Sequence, residues 1–132
     1  MNQKFILKQI LIILLIGIIL LGIDSIYLFV NKNAFEILIA SVQNGPMQIN
    51  MTGVILCYIL LIFGFYYFII RENRNNIEAF LMGIFVYGVY ETTNYATFKK
   101  WSSKLALIDT IWGGVLFALT NHFVKMIINK FM

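Results

Sequence analysis

Long apolar runs alternate with short polar connections along the chain. A helix needs about 20 apolar residues to cross a hydrocarbon core of about 30 Å, because each residue advances about 1.5 Å along the axis. Four runs reach that length, and they predict transmembrane helices at about residues 10–30, 51–70, 77–98 and 105–128. The predicted fold class is therefore an all-α integral membrane bundle of four transmembrane helices. The chain forms one domain, residues 1–132, in which short connections make consecutive helices antiparallel neighbours.

The connection between the first two predicted membrane helices has an amphipathic middle. Asn33 with Glu36 fits a capping box at its start. Gly45 and Pro46 fit its end. Its apolar residues recur at the spacing of one helix face: Phe35, Leu38, Ile39 and Val42. We interpret this segment as a short helix in the membrane interface, with an ordered loop as the alternative.

Composition agrees with this pattern. Hydrophobic residues make up 61% of the chain and charged residues 12%, against about 45–50% and about 25% in soluble domains. The net charge is +4, but the Lys and Arg residues flank the apolar runs, so they indicate orientation in the bilayer and not a nucleic-acid partner. Six of them lie on the side of the termini and four on the other side, which predicts a multi-pass protein with cytoplasmic termini.

A polar and ionisable stretch lies among the most hydrophobic segments of the second half. It runs from Tyr90 to Thr97, and Trp101, Asp109 and Trp112 follow it. At membrane depth each ionisable residue costs free energy, so it needs a partner or a function. This stretch is therefore the predicted location of a functional site.

Helical rise places three acids at one depth. Asp24 lies 14 residues after Ile10 and Glu91 lies 14 residues after Ile77, so each is roughly 21 Å along its helix. The first and third predicted helices run in the same direction, and Asp109 lies in the first turns of the antiparallel fourth. All three acids should therefore meet in one leaflet.

Charged groups at membrane depth face the interior of a bundle or a water-filled cavity. We therefore predict a polar pocket between the first, third and fourth predicted helices, open toward the non-cytoplasmic face. The predicted ligand-binding residues are Asp24, Glu91, Asp109, Tyr90, Asn94, Thr93, Trp112 and Trp101. The alternative is structural, with the same residues locking the helices together through interhelical hydrogen bonds of about 0.6 kcal/mol each.

The chain carries no motif of a known catalytic or metal site. It has no Ser or Cys paired with His, no Gly-rich phosphate loop and no His cluster, and its acids match no metal-loop spacing. No metal and no cofactor are predicted, catalytic residues are unknown, and an enzyme is not favoured. Cys57 is the only cysteine, so an intrachain disulfide is excluded.

The polar residues form a pattern that resembles a known family. Its parts are a Gly-x-Asp element with a following aromatic residue, a Tyr-acid-x-Thr-Asn-x-Ala element, a Trp, and an Asp-x-x-Trp-Gly element. Here these are Gly22, Asp24, Tyr27, Tyr90, Glu91, Thr93, Asn94, Ala96, Trp101, Asp109, Trp112 and Gly113. In this combination the chain resembles the small, mostly bacterial membrane protein family catalogued as domain of unknown function 2177.

The chain departs from the family pattern at three positions. Asp is commoner at residue 91, Trp at residue 27, and Pro at the position of Ser102. These departures keep the polarity of the predicted pocket. The resemblance implies a four-helix membrane protein and brings no established activity.

Three functions fit these observations. The first and favoured one is binding or transport of a small molecule or ion through the pocket, and transport through so few helices calls for a homo-oligomer. The second is a lipid-modifying membrane enzyme or its accessory subunit. In this case the anionic head group of the lipid is attracted by Lys99, Lys100 and Lys104. The third is a structural or assembly protein of the membrane. The expected partners are the lipid bilayer, a small solute or anionic lipid head group, and a second copy of the chain.

Overall fold

A computed structural model describes residues 2–132, and within that range all regular structure is helical. The predicted all-α class is therefore confirmed. The third helix continues into a π-helical turn, Tyr66–Ile70. The five α-helices are α1 (Gln3–Val30), α2 (Lys32–Gln43), α3 (Met51–Phe65), α4 (Asn76–Thr97) and α5 (Ser103–Phe131).

Three of these segments are long and apolar enough to cross a membrane: Gln3–Val30, Met51–Ile70 and Ser103–Phe131. Their outward faces carry large apolar side chains, such as Ile18 and Leu60 with 72% and 75% of their surface exposed. Apolar surface of this extent marks a face that contacts lipid. α4 is not among the three, because its second half carries the polar stretch. The expectation of four membrane helices is supported for three, and α4 as a fourth stays a prediction.

The helices begin and end close to the predicted residues, with one large difference. α1 begins at Gln3 instead of residue 10, because Asn2 caps it by accepting the Lys4 N–H at 2.9 Å. At the start of α4, the predicted capping box is confirmed. The Asn75 side chain accepts the Glu78 N–H at 2.8 Å, and the Glu78 carboxylate accepts the Asn75 N–H at 3.1 Å.

α2 exists where the amphipathic spacing predicts a helix, but both of its predicted ends are wrong by one or two residues. Asn31, not Asn33, precedes its first residue, because a single residue both ends α1 and starts α2. The Asn31 side chain caps α1, since its Nδ2 donates to the Tyr27 carbonyl at 3.0 Å. α2 ends at Gln43, and Asn44 takes the left-handed conformation (φ 56°) that terminates helices. Its location in the membrane interface stays a prediction.

α4 and α5 form the tightest pair of helices, and glycines make this possible. A Cβ atom on Gly83 would lie 2.0 Å from the carbonyl oxygen of Gly113. A Cβ atom on Gly113 would lie 2.4 Å from the Tyr87 ring. Helices in membranes pack most closely where small residues let their backbones approach, and this glycine seam therefore fixes how α4 lies along α5.

The small residues of α3 do not pack in the way that their spacing predicts. Gly53, Cys57 and Gly64 lie near one face, which suggests the close approach of another helix. A Cβ atom on Gly53 or Gly64 would meet nothing within 4 Å, and Cys57 is exposed. The reason is that α3 packs mainly against α1, while this face borders an open apolar cleft toward α4.

An apolar core lies between two polar ends of the bundle. Its buried members are Ile12, Ile16, Leu20, Phe65, Ile69, Ala79, Leu116, Phe117 and Val124. One end holds Asp24, Glu91 and Asp109, and we name it the carboxyl end. The other end holds the described terminal residues and the turn at residues 71–75, and we name it the basic end.

Candidate functional site

The carboxyl end brings together the three acids of the membrane helices. Asp24 comes from α1, Glu91 from α4 and Asp109 from α5. Only 5%, 2% and 8% of their surfaces are exposed. A buried acid is costly unless other groups hydrogen-bond to it, so the partners of each acid decide what the group can do.

Asp24 has a hydrogen-bond donor on each of its two carboxyl oxygens. The Tyr58 hydroxyl of α3 donates to Oδ2 at 2.6 Å. The Trp112 indole Nε1–H of α5 donates to Oδ1 at 2.9 Å. This one side chain therefore joins three helices, and each of its oxygens already has one donor from the chain.

Asp109 accepts a hydrogen bond from a tyrosine of α1. The Tyr27 hydroxyl donates to Oδ1 at 3.1 Å, and the bond is buried. The Tyr27 ring also stacks on the Trp112 ring, with centroids 4.4 Å apart and planes only 2° from parallel. Stacked rings fix each other's orientation. One donor of Asp24 and the donor of Asp109 thus belong to one stacked aromatic pair.

Glu91 is held from the loop between α4 and α5. The Trp101 indole Nε1–H donates to Oε1 at 2.9 Å, and Trp101 is itself buried. Glu91 and Asp109 line the same cavity. Each carboxyl group has one hydrogen-bond donor from the chain, so each keeps further acceptor lone pairs.

A cavity of about 540 Å³ opens beside the three acids. This volume falls in the range of small-molecule sites, about 300–1,000 Å³. Aromatic and aliphatic side chains form most of its wall, among them Phe35 of α2, Tyr58 of α3 and Tyr87 of α4. Lys32 is the one basic residue that lines it, among the residues that the structure describes.

The predicted site residues divide into two groups. Tyr90 and Trp101 line the cavity with the three acids, and their rings meet edge to face at 6.5 Å, although Tyr90 is 57% exposed. Trp112 does not line the cavity but stands behind Asp24 as its donor.

Two further residues predicted to bind the ligand do not line the cavity. Thr93 is exposed and Asn94 is half-buried. For Thr93 the reason is the rotation of the helix, because a residue two positions after Glu91 lies about 200° around the axis. Asn94 is on the same helix face as Glu91 but lies in the last turn of α4. The backbone carbonyls of both residues instead accept hydrogen bonds within the last turn of the helix and at its C-cap.

The contribution of α3 is the main feature that sequence reasoning missed. The predicted pocket used the helices that contain Asp24, Glu91 and Asp109, whereas Tyr58 of α3 also lines the cavity and binds Asp24. Residue counts along the helices already place Tyr58 at the depth of Asp24. Tyr58 lies seven residues after Met51 and Asp24 lies six residues before Val30, so both are roughly 10 Å from the carboxyl end.

α2 and the segment after it also line the cavity, which the sequence did not indicate. Lys32, Phe35 and Ile39 come from the short helix, and Met47 and Ile49 come from the connection to α3. Lys32 forms a 3.9 Å ion pair with Glu36. The short helix thus closes one side of the cavity.

The three acids do not form a metal site in this arrangement. Within residues 2–132, no group of three or more His, Cys, Asp or Glu side chains is placed to hold a metal ion. Their partners are aromatic O–H and N–H donors. The geometry is that of carboxyl groups oriented by hydrogen bonds around an apolar cavity.

Comparison with known proteins identifies a family and no individual relative. Neither the curated proteins nor the solved structures contain a match. A family profile described as predicted membrane protein matches residues 9–125, which include all the predicted site residues. The apolar helices and the description of this family agree that this is a membrane protein. The chain therefore belongs to the family of predicted membrane proteins designated domain of unknown function 2177.

Proposed function

We propose that this membrane protein binds a small, positively charged organic solute in the cavity at the carboxyl end. The observation that carries the proposal is the convergence of three buried carboxyl groups, from three helices, on one cavity of about 540 Å³. A structural role alone explains buried acids with partners. It does not explain why all three line the same open space.

The charges that line the cavity favour a cation. Asp24, Glu91 and Asp109 line it, and the basic Lys32 is already engaged by Glu36. Aromatic faces attract cations as well, and the side chains of Tyr87 and Tyr90 belong to the wall. An alkylammonium group with an apolar body matches both the acids and the aromatic wall.

The hydrogen bonds suggest different roles for the acids. Asp24 already accepts a bond on each oxygen, so we assign it to holding α1, α3 and α5 together. Glu91 and Asp109 each accept one bond from an aromatic donor and line the same cavity. A bound alkylammonium group can donate to the remaining lone pairs of both carboxyl groups, and its positive charge compensates theirs.

The proposal places α4 across the membrane as a fourth span. The glycine seam sets α4 along α5, which is itself long and apolar enough to cross. Its 22 residues reach about 33 Å at 1.5 Å per residue, and its polar residues then face the cavity and the membrane boundary. Transport of the bound solute is the next step of this proposal, and with four helices it requires a homo-oligomer.

The chain carries a direct reporter of this site. Trp101 and Trp112 are its only two tryptophans, and each donates to a carboxyl group of the cavity. The test is titration of the purified protein, in mild detergent, with a series of alkylammonium ions and polyamines while tryptophan emission is recorded. Native mass spectrometry of the same samples identifies the bound species.

We expect a saturable emission change in the wild type and at least about a tenfold loss of affinity in Glu91→Gln, since a charge-assisted hydrogen bond is lost. Glu72→Gln is the matched control, because it removes a half-exposed acid at the opposite end that does not line this cavity. The absence of saturation with every cation, together with a Glu91→Gln protein that is only less stable, would overturn the proposal in favour of the structural role.

The structural role is the second candidate, because every one of the three acids already accepts a hydrogen bond from another part of the chain. Such bonds are what a pure assembly protein needs. No comparable contact favours the lipid-modifying enzyme over these two. The tryptophan titration separates binding from assembly directly.

A further inference from the structure

The basic end holds a second cavity, of about 590 Å³, far along the bundle from the carboxyl end. α1, α5 and the turn after α3 enclose it, and each contributes one basic side chain: Lys8, Lys125 and Arg71. No acidic residue lines it among the residues that the structure describes. The rest of the wall includes apolar side chains, such as Phe5 and Ile128. The cavity is therefore cationic and partly apolar.

Contacts hold Lys125, Arg71 and the helix that carries Lys8 in position. The Tyr66 hydroxyl donates to the Gln9 side-chain oxygen at 2.5 Å, which ties α1 to the π-helical turn. Lys125 Nζ donates to the Arg74 carbonyl, which brings its ammonium group to the level of the turn at residues 71–75. The Arg71 guanidinium lies 3.7 Å from the centre of the Tyr67 ring. The wall of the cavity is thus built by contacts between helices.

The two lysines have no acidic partner in the described part of the chain. The ion pairs within residues 2–132 are Lys32–Glu36, Arg71–Glu72 and Arg74–Glu78. Glu72 and Glu78 are engaged by arginines, and both are about half-exposed. Lys8 and Lys125 therefore leave a net positive charge beside apolar surface.

We infer that this cavity binds an anionic phospholipid, with its phosphate held by Lys8, Lys125 and Arg71 and its acyl chains along the apolar side chains. Arginine and lysine are the usual phosphate-binding groups, and Arg71 keeps N–H donors beyond the two that bond Tyr67 and Glu72. Basic pockets between membrane helices bind anionic head groups in this manner.

This site is distinct from the one that the sequence suggested for a head group. Lys99 and Lys100 lie in the loop at the opposite end and border a cavity of only about 170 Å³. The inference also does not depend on the carboxyl pocket. Each can fail while the other holds.

The experiment adds phosphatidylglycerol, phosphatidylcholine with the same acyl chains, or inorganic phosphate to the protein in mild detergent. Native mass spectrometry measures how much of each lipid stays bound, and a thermal scan measures the unfolding midpoint. We expect phosphatidylglycerol adducts and a raised midpoint, with neither from phosphatidylcholine or inorganic phosphate. Equal retention of the two lipids, or equal stabilisation by inorganic phosphate, would overturn the inference.

Variants locate the site. Replacing Lys8 with Gln should weaken the phosphatidylglycerol preference about fivefold, and Lys8→Gln with Lys125→Gln about twenty-fivefold. Lys99→Gln with Lys100→Gln removes the same charge at the opposite end and should keep the preference. The Lys8 side chain is exposed and forms no ion pair within residues 2–132, so its variant is expected to fold even if the double variant does not. An undiminished preference in Lys8→Gln, or an equal loss in the control pair, would sink the inference.

Discussion

The two ends of the bundle treat charge in opposite ways. The carboxyl end buries three acids and gives each an aromatic donor from another part of the chain. The basic end keeps its ion pairs at the surface, and the side chains of Glu72 and Glu78 are 48% and 41% exposed. The basic end holds Lys4, Lys8, Arg71, Arg74, Lys125 and Lys130 with Glu72 and Glu78; the carboxyl end holds Lys32, Lys99, Lys100 and Lys104 with Asp24, Glu36, Glu91 and Asp109.

The chain's entire net charge of +4 therefore comes from the basic end, since four bases and four acids cancel at the other. The net charge of the whole chain does not show that one end is positive and the other neutral. Water satisfies an exposed charge at any rotamer, whereas a buried acid needs donors in fixed positions. The same type of substitution should therefore have a large effect at the carboxyl end and a small one at the basic end.

The largest loss of stability is expected from a substitution in the glycine seam between α4 and α5. Gly83→Ala places a Cβ atom against the backbone of Gly113 and forces the helices apart. We expect a loss of about 3 kcal/mol or more in unfolding free energy, measured by denaturant or thermal unfolding in detergent. Gly22→Ala is the control, because its Cβ atom meets nothing within 4 Å. Equal stability of the two variants would contradict the seam.

The next effect is confined to the carboxyl end. In the wild type, Tyr58 and Trp112 both donate to Asp24. Asp24→Asn keeps one acceptor oxygen but turns an NH₂ group toward one of these two donors. We expect a loss of about 1–3 kcal/mol, the cost of a buried polar group without its partner. The emission of Trp112 should shift in the same variant. Wild-type stability with unchanged emission would show that these bonds do not hold the helices.

A hydroxyl deletion on α3 compares both ends within one helical segment. Tyr58→Phe removes the donor to Asp24 and should cost about 1–2 kcal/mol. Tyr67→Phe removes a half-exposed hydroxyl near the basic end and should leave the unfolding midpoint unchanged. Thermal scans of the two variants side by side make the measurement. If Tyr67→Phe is the more harmful, α3 does not support the pocket.

The smallest effect is expected from an acid at the basic end. Glu78→Gln makes the same acid-to-amide change as Asp24→Asn, but glutamine can keep the capping box and only the exposed pair with Arg74 is lost. The unfolding midpoint should match that of the wild type within error. A loss as large as that of Asp24→Asn would remove the contrast between the ends.

Helical rise and periodicity were enough to predict much of this architecture. The all-α class and the capping box at Asn75 follow from local rules. The common depth of Asp24, Glu91 and Asp109 follows from counting residues along straight helices. Local pattern did not reveal which glycines meet, because Gly53 and Gly83 look alike in sequence while only Gly83 touches a neighbouring backbone.

The candidate site shows the same limit. Sequence reasoning can place a residue at a depth and on a face, but it does not state which neighbouring helix lies opposite. Tyr58 was therefore missed although its depth matches that of Asp24. Thr93 was included because it is polar and close in sequence to Glu91, whereas rotation about α4 turns it away from the cavity. Asn94 was included because it shares a helix face with Glu91, but it lies in the last turn of α4 and does not line the cavity.

The π-helical turn sets how the residues after it are rotated about the helix axis relative to the residues of α3 before it. Its widened ring is visible in the bond from the Arg71 N–H to the Tyr66 carbonyl, five residues back, at 2.8 Å. A π turn corresponds to one inserted residue, which rotates everything after it by about 100° relative to a continuous α-helix. The loss of a single codon here would swing Arg71 away while Tyr58 stayed against Asp24. A one-residue deletion in this turn is thus expected to change the basic end of the molecule and to leave the carboxyl end unaltered.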